Sequence, residues 1–241
     1  MSHIPVYIIN LKRRPDRRKS ITHQLQTQGF YNLHYIDAVD GKRLSENDIR
    51  RFTAKNALQS RQRHEDINSV GAIGCYLSHM HAWQKVMASN RSAMIVEDDL
   101  TFEQPVLDIV ASIFNDTKQF DLILLHYILR RFTFNVIQTG LIPYNKEFFS
   151  CACYILTAQG AQQLLDQALP IEMQVDCYMA TKGLNTAIYS PLITQASHFT
   201  TDIQTNCFSC GMHHIDLQLL LFATSILLCT YLLFISRQRY S

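Results

Sequence analysis

Three carboxylates in succession, Glu97-Asp98-Asp99, follow the apolar run Ala93-Met94-Ile95-Val96, which reads as a short buried strand. Carboxylates crowded together repel and raise one another's pKa values. A divalent ion relieves that conflict, and hard oxygen donors favour Mg²⁺ or Mn²⁺. The ion's remaining positions can take diphosphate oxygens, so one cation neutralises both the protein and a leaving group. An acidic surface turn has the same composition. The strand before the triplet favours a site, because ligands in open α/β sheets gather at the carboxyl ends of strands.

A second group of the right chemistry lies near the start. Asn10-Leu11-Lys12-Arg13-Arg14-Pro15-Asp16-Arg17-Arg18 places four arginines and a lysine within nine residues. The planar guanidinium fork and the unpaired N–H groups of a helix start both suit a diphosphate. A solvated basic turn is the other reading.

The elements that must position these groups follow from periodicity. Pro5 to Asn10 reads as a buried strand, and Pro15 opens a helical pattern closed by Gly29, with Ile21 and Leu25 spaced i, i+4. Tyr31 to Ile36 alternates as a strand, and Asp40-Gly41 forms a turn before Ser45 and Asp48, a capping pattern for a short helix. Residues 56–69 are polar and read as a mobile loop. Gly71 to Ser89 should be a long helix, with Ile73, Leu77, Met80 and Gln84 on one stripe and Gly71, Cys75, Ser78 and Ala82 on another. A helix near 105–116, a strand at Asp121 to Leu125, a strand at Ala152 to Leu156 and a helix from Ala158 to Ala168 complete an alternating α/β order.

The segments YIINLKRRPDRR, DAVDG, GAIGCYLSHMHAW and IVEDD occur in this order between residues 5 and about 195, and together they resemble glycosyltransferase family 25, which includes lipooligosaccharide and collagen galactosyltransferases. The resemblance implies a GT-A-like α/β fold, inverting transfer from a nucleotide sugar such as UDP-galactose or UDP-glucose, and a divalent cation, Mn²⁺ or Mg²⁺, at the acidic motif. Carried over by position, it places Asn10, Arg13 and Arg17 at the nucleotide end and Ala38 and Asp40 near the base and ribose. Gly71, Gly74 and His79 would shape the donor pocket, and Glu97 and Asp99 would hold the metal. His79 is equally readable as a satisfied helix histidine.

Inversion needs a carboxylate to take the acceptor hydroxyl's proton while C1 is attacked opposite the diphosphate. The stretch Pro170 to Asp176, after CYILTAQGAQQLL, resembles the family's Pro-Val-Asp-like segment. Asp176 is therefore the candidate base and Glu172 the second; a helix-capping role for Asp176 is the alternative. His126 and Tyr127 end a strand where an acceptor can dock, and Cys151 and Cys153 alternate along a strand as packing residues.

The chain has 241 residues with 47% in the apolar set and 17% charged, enough for one substantial core. One catalytic domain is expected over 1–200, with a linker at 201–216, a hydrophobic helix at 217–235 and a tail at 236–241. Leu217 to Ile235 carries no charge over 19 residues; as a helix it reaches roughly 28 Å, about a bilayer's hydrocarbon thickness. It is read as a transmembrane or interfacial segment, with a buried core helix as the other reading. Cys207, Cys210, His213 and His214 are four possible zinc ligands, although their spacing departs from the usual finger; acylation of Cys207 or Cys210 near a membrane is a further reading. Seven scattered cysteines and no secretory signal lead to the expectation of reduced thiols and a place at the cytoplasmic face of a membrane, the bacterial inner membrane first. Expected partners are a nucleotide sugar and a lipid-linked glycan acceptor.

Charge excludes another class. Residues 1–63 hold 13 Lys and Arg against 5 Asp and Glu, whereas 64–241 hold 9 against 15. The acidic remainder would repel a polyanion, and no nucleic-acid-binding motif is present. A phosphohydrolase would add His and Asp ligands near residue 97 for a two-metal site, and that cluster is not seen. A sugar-nucleotide binder without catalysis is the remaining rival.

Overall fold

The computed structural model describes residues 3–55, 57–58, 65–67, 69–102, 105–115, 119–129, 139–197 and 199. They fall in one compact unit, Met1–Ile203; the second unit, Gln204–Ser241, lies outside the described residues. The expected linker, its Cys207, Cys210, His213 and His214 group, and the hydrophobic segment at 217–235 lie there too. Among the described residues no helix is long and apolar enough to cross a membrane.

The chain runs β1 (Val6–Asn10), α1 (Pro15–Thr27), β2 (Leu33–Asp37), a 3-10 turn (Gly41–Arg43), α2 (Glu46–Phe52), α3 (Val70–Ser89), β3 (Ala93–Glu97), β4 (Leu100–Phe102), α4 (Leu107–Asn115), β5 (Leu122–Leu129), β6 (Gly140–Pro143), β7 (Phe148–Leu156), α5 (Ala158–Leu165), α6 (Val175–Thr181), β8 (Thr186–Ser190) and β9 (Thr194–Ala196). Local chemistry sets several of the boundaries. Ser45 Oγ accepts from the Asp48 N–H while the Asp48 carboxylate accepts from the Ser45 N–H, a reciprocal cap that starts α2. Ser69 caps α3 through the Ala72 N–H, and Asn90 at φ 50 closes it in the left-handed region.

Seven strands form one sheet in the order β2-β1-β3-β7-β5-β8-β6, and β4 pairs with β9 in a small ribbon. β1, β2 and β3 pair in parallel, as β5 and β8 do, but β7 lies antiparallel between β3 and β5 and β6 is antiparallel to β8. Parallel neighbours need a crossover helix, and none occurs between β5 and β7 among the described residues. The sheet is therefore mixed.

Both faces of the sheet are covered, so the strands read as continuous apolar runs instead of alternating ones. Tyr7, Ile9, Ile95 and Tyr154 point towards α3, α5 and α6, where Tyr76, Trp83 and Tyr178 pack. Val6, Ile8, Met94 and Val96 point the other way, towards Ile21 and Leu25 of α1 and Val110 and Ile113 of α4.

Candidate functional site

β1 and β3 are parallel neighbours, with Ile9 paired to Glu97, so their carboxyl ends bring the basic segment and the acidic triplet side by side. After β1 the chain turns tightly, the Arg14 N–H donating to Leu11 O at 2.8 Å, and Pro15 starts α1. Asn10 fixes that turn and the triplet together: its side-chain amide donates to Arg14 O at 3.1 Å and to Asp98 Oδ2. Arg17, in the first turn of α1, is buried. Its Nη1 donates to Asp98 Oδ1 and to Asp99 Oδ2, each at 3.1 Å. The ring of Phe199 lies 5.4 Å from the Arg17 guanidinium and 5.5 Å from that of Arg14.

The triplet is electrostatically divided. Burial raises the pKa of Asp98, against the hydrogen bonds from Asn10 and Arg17. Burial first, and then the charge of Glu97, push Asp99 up to about 7. Glu97 is lowered: burial opposes ionisation, but the hydrogen bond and charge of His79, with His126 and Arg17, outweigh it.

His79 belongs to a buried polar chain. Trp83 Nε1 donates to the Tyr154 hydroxyl at 2.8 Å, that hydroxyl lies 2.9 Å from His79 Nδ1, and His79 Nε2 lies 3.3 Å from Glu97 Oε1. The indole N–H can only donate, so the Tyr154 oxygen accepts from Trp83; the tautomer of His79 sets whether Nδ1 donates to that hydroxyl or accepts from it. Trp83, Tyr154 and His79 are all fully buried.

The third wall is the loop after β2. Arg13 Nε donates to Asp40 Oδ2 at 2.8 Å, and that bond chiefly lowers the pKa of Asp40. The Val39 N–H donates to Ser78 Oγ at 2.8 Å, and Ser78 Oγ donates to Gly74 O. A Cβ on Gly74 would stand 2.5 Å from Val39 O and 2.7 Å from Gly41 N, so glycine there lets the loop lie directly on α3.

These walls frame a cleft, partly open to solvent, lined by Arg13, Arg17, Ala38, Asp40, Gly71, Glu97 and Asp99 together with Lys42, Cys75, Ser78 and Asp98. Cations from the turn after β1, from α1 and from the 3-10 turn share this cleft with carboxylates at and just beyond the end of β3. Such a surface can hold an anionic group at one end and hydrogen-bond hydroxyls at the other. Asn10, Gly74 and His79 support the lining from behind. Sequence reasoning did not single out Lys42, Cys75 or Ser78 for the site, and it named Asp98 only as a member of the acidic triplet. The stripe of small residues Gly71, Cys75 and Ser78 on α3 was the available signal, because that face turns to the cleft.

Asp176 does not line this cleft. It sits in the first turn of α6 and accepts from the Ser150 N–H at 2.8 Å and the Cys177 N–H at 2.7 Å. Its charge is still felt at Cys75, where it adds to burial and Glu97 in raising the thiol's pKa. Glu172 lines a separate cavity with Glu65, Asp66, Glu147, Phe149 and Cys177. His126 Nδ1 lies 3.0 Å from Thr194 Oγ1, and burial lowers its pKa.

For a hard divalent ion, Glu97 and Asp99 both reach the cleft, which suits Mg²⁺-type binding through one or two carboxylates plus substrate phosphates. Among the described residues, however, three ligand atoms converge within 4.8 Å of one another only at Cys75, His79 and Glu97. That set is mixed in sulfur, nitrogen and oxygen.

The sequence model of glycosyltransferase family 25 (LPS biosynthesis protein) matches residues 3–179. A glycosyltransferase 25 family member of Aedes aegypti is 29% identical over 230 residues, covering 84% of this chain and 37% of the relative. Human procollagen galactosyltransferase 2 is 23% identical over 222 residues, covering 81% of this chain and 35% of the relative. The inactive glycosyltransferase 25 family member 3 of Mus musculus is 23% identical over 235 residues, with 83% and 38% covered. The chain thus spans little more than a third of the length of these relatives.

Proposed function

The chain belongs to glycosyltransferase family 25, and from that premise we propose that it moves a hexose, galactose before glucose, from a UDP-sugar to a glycan acceptor with inversion, in a GT-A-like fold. The observation that carries this reading is the cleft at the adjacent carboxyl ends of β1 and β3, where Arg13, Arg17 and Lys42 face Glu97, Asp98 and Asp99. In it the guanidinium groups bind the diphosphate and Asp40 with the Ala38–Val39 backbone takes the nucleoside. Mn²⁺ or Mg²⁺, held by Glu97 and Asp99, would neutralise charge on the departing diphosphate. Asp176 is the proposed base for the acceptor hydroxyl. Galactose is preferred because the human relative is named for it.

The acceptor proposed is a lipooligosaccharide or another lipid-linked glycan, in keeping with the family description. The segment 217–235 would hold the enzyme at the cytoplasmic face of the bacterial inner membrane, raising the local concentration of such an acceptor. Fractionation of cells expressing the full chain or a version lacking 212–241 tests this; equal solubility of the two would refute it.

The decisive experiment is UDP release from a panel of sugar nucleotides by the full chain in detergent, with and without Mn²⁺, against Asp99→Ala. Metal-dependent release from one donor, lost in the variant, is expected. UDP binding without release from any donor, even with glycan acceptors present, would establish the rival, a sugar-nucleotide binder without catalysis. Asp176 favours that rival to one extent, since both its oxygens are taken by backbone N–H groups.

A further inference from the structure

We propose that Cys75, His79 and Glu97 form a cation site of the zinc class in the wall of the cleft. Cys75 and His79 are one turn apart on α3 and so share a face. Glu97, the last residue of β3, meets that face. Their ligand atoms all lie within 4.8 Å of one another.

The spacing admits an ion as well as the long hydrogen bond seen here. His79 Nε2 and Glu97 Oε1 are 3.3 Å apart, whereas a charge-assisted N–H···O⁻ bond closes to about 2.7–2.9 Å. Two ligands each about 2.0 Å from one tetrahedral zinc stand about 3.3 Å apart. The second ring nitrogen is engaged, as it is in metal-binding histidines. His79 Nδ1 lies 2.9 Å from the Tyr154 hydroxyl, itself held by the Trp83 N–H at 2.8 Å, deep in the core. Cys151 Sγ lies 4.0 Å from His79 Nε2, a further soft donor behind the ring.

Donor chemistry selects the ion. Thiolate and imidazole favour zinc, whereas Mg²⁺ and Mn²⁺ prefer oxygen throughout. Cys75 and Glu97 line the cleft, so three protein donors leave the fourth position facing it, the pattern of an open zinc site. Binding releases the Cys75 thiol proton to solvent and requires the Nδ1–H tautomer of His79; Nδ1–H then donates to the Tyr154 oxygen, which also accepts from Trp83, while the hydroxyl keeps its own proton, turned away from the ring. This site does not rest on the sugar-transfer reading; it shares Glu97 with the hard-ion site on Glu97 and Asp99 and differs from it in its other donors.

The test is titration of the purified, metal-stripped full chain with Co²⁺ and Zn²⁺ alone, followed by absorption spectroscopy. Because Cys207, Cys210, His213 and His214 could also take these ions, a Cys207→Ser/Cys210→Ser variant is titrated beside Cys75→Ser. One Co²⁺ per chain with tetrahedral d–d bands and a thiolate charge-transfer band is expected, kept in the double variant, lost in Cys75→Ser, and displaced by Zn²⁺ but not by equal Mg²⁺ or Mn²⁺. Tyr154→Phe should weaken Zn²⁺ binding about ten- to a hundredfold; circular dichroism of each variant confirms that it is folded. The proposal is overturned if the thiolate band follows Cys207 and Cys210, if folded double variant binds no Co²⁺, or if Mn²⁺ displaces it as readily as Zn²⁺ does.

Discussion

Arg17 Nη1 lies 3.1 Å from Asp99 Oδ2 across 82 positions of sequence, so the acidic strand end carries a protein cation of its own. The same nitrogen serves Asp98, and the Arg17 and Asp98 side chains are only 5% and 8% exposed. Removing the guanidinium would leave a buried carboxylate without its partner. Arg17→Met should therefore cost about 3–5 kcal/mol in urea unfolding. Arg17→Lys should recover only part of this, because an ammonium does not reproduce the planar fork. Equal stability of Arg17→Met and wild type would show that the ion pair does not hold the strand end.

The Arg13–Asp40 pair behaves differently, since Arg13 is 40% exposed. Arg13→Gln should lower stability near neutral pH by no more than about 1 kcal/mol. The folded pKa of Asp40 is depressed, chiefly by Arg13. Its contribution is thus present above the ordinary aspartate value of 3.8 and is lost as pH falls through the lower folded value. Urea midpoints of wild type and Arg13→Gln should converge in that acid window and stay apart at pH 7. UDP affinity, measured by calorimetry, should fall more than stability does.

Gly74→Ala tests the packing of the loop on α3. The new methyl would meet backbone atoms at 2.5 Å and 2.7 Å, and backbone cannot swing aside as a side chain can. A loss of about 1–3 kcal/mol is expected, together with weaker UDP binding as Val39 and Asp40 are displaced. Unchanged binding in a destabilised protein would separate the loop from the nucleotide.

For the base, Asp176→Asn should slow transfer about a hundred- to ten-thousandfold while UDP binding persists. Glu172→Gln, in the other cavity, should leave the rate near wild type. If Asp176→Asn loses stability but transfers at the normal rate, Asp176 serves only its two backbone bonds.

Much of the framework was legible before the fold. The helix expected from Gly71 to Ser89 is α3 at Val70–Ser89, because its cap, its apolar face and its closing Asn90 are all local features. The runs at β1 and β3 were readable because fully buried strands must be apolar throughout. β4, β6, β8 and β9 were not read. They are short, LTF, GLIP, TAIYS and TQA, and the strands they pair with are distant in sequence.

At the site the division is similar. Residue types alone marked Arg13, Arg17, Glu97 and Asp99 as groups needing partners, because charge and the strand before the triplet can be read along the chain. Which partner each one has was not readable. Arg17 was expected at the nucleotide end; it lines the cleft and also holds Asp98 and Asp99. Ser78 and Cys75 passed as small helix residues, yet one ties down the Val39 loop and the other lines the cleft. The sequence by itself determined the apolar strands, the caps, the charged segments and the family. Only the tertiary structure decided the direction of β7, the pairing of Arg17 and the meeting of Cys75, His79 and Glu97. Those are contacts between separate elements, and their energies depend on distances that no local pattern encodes.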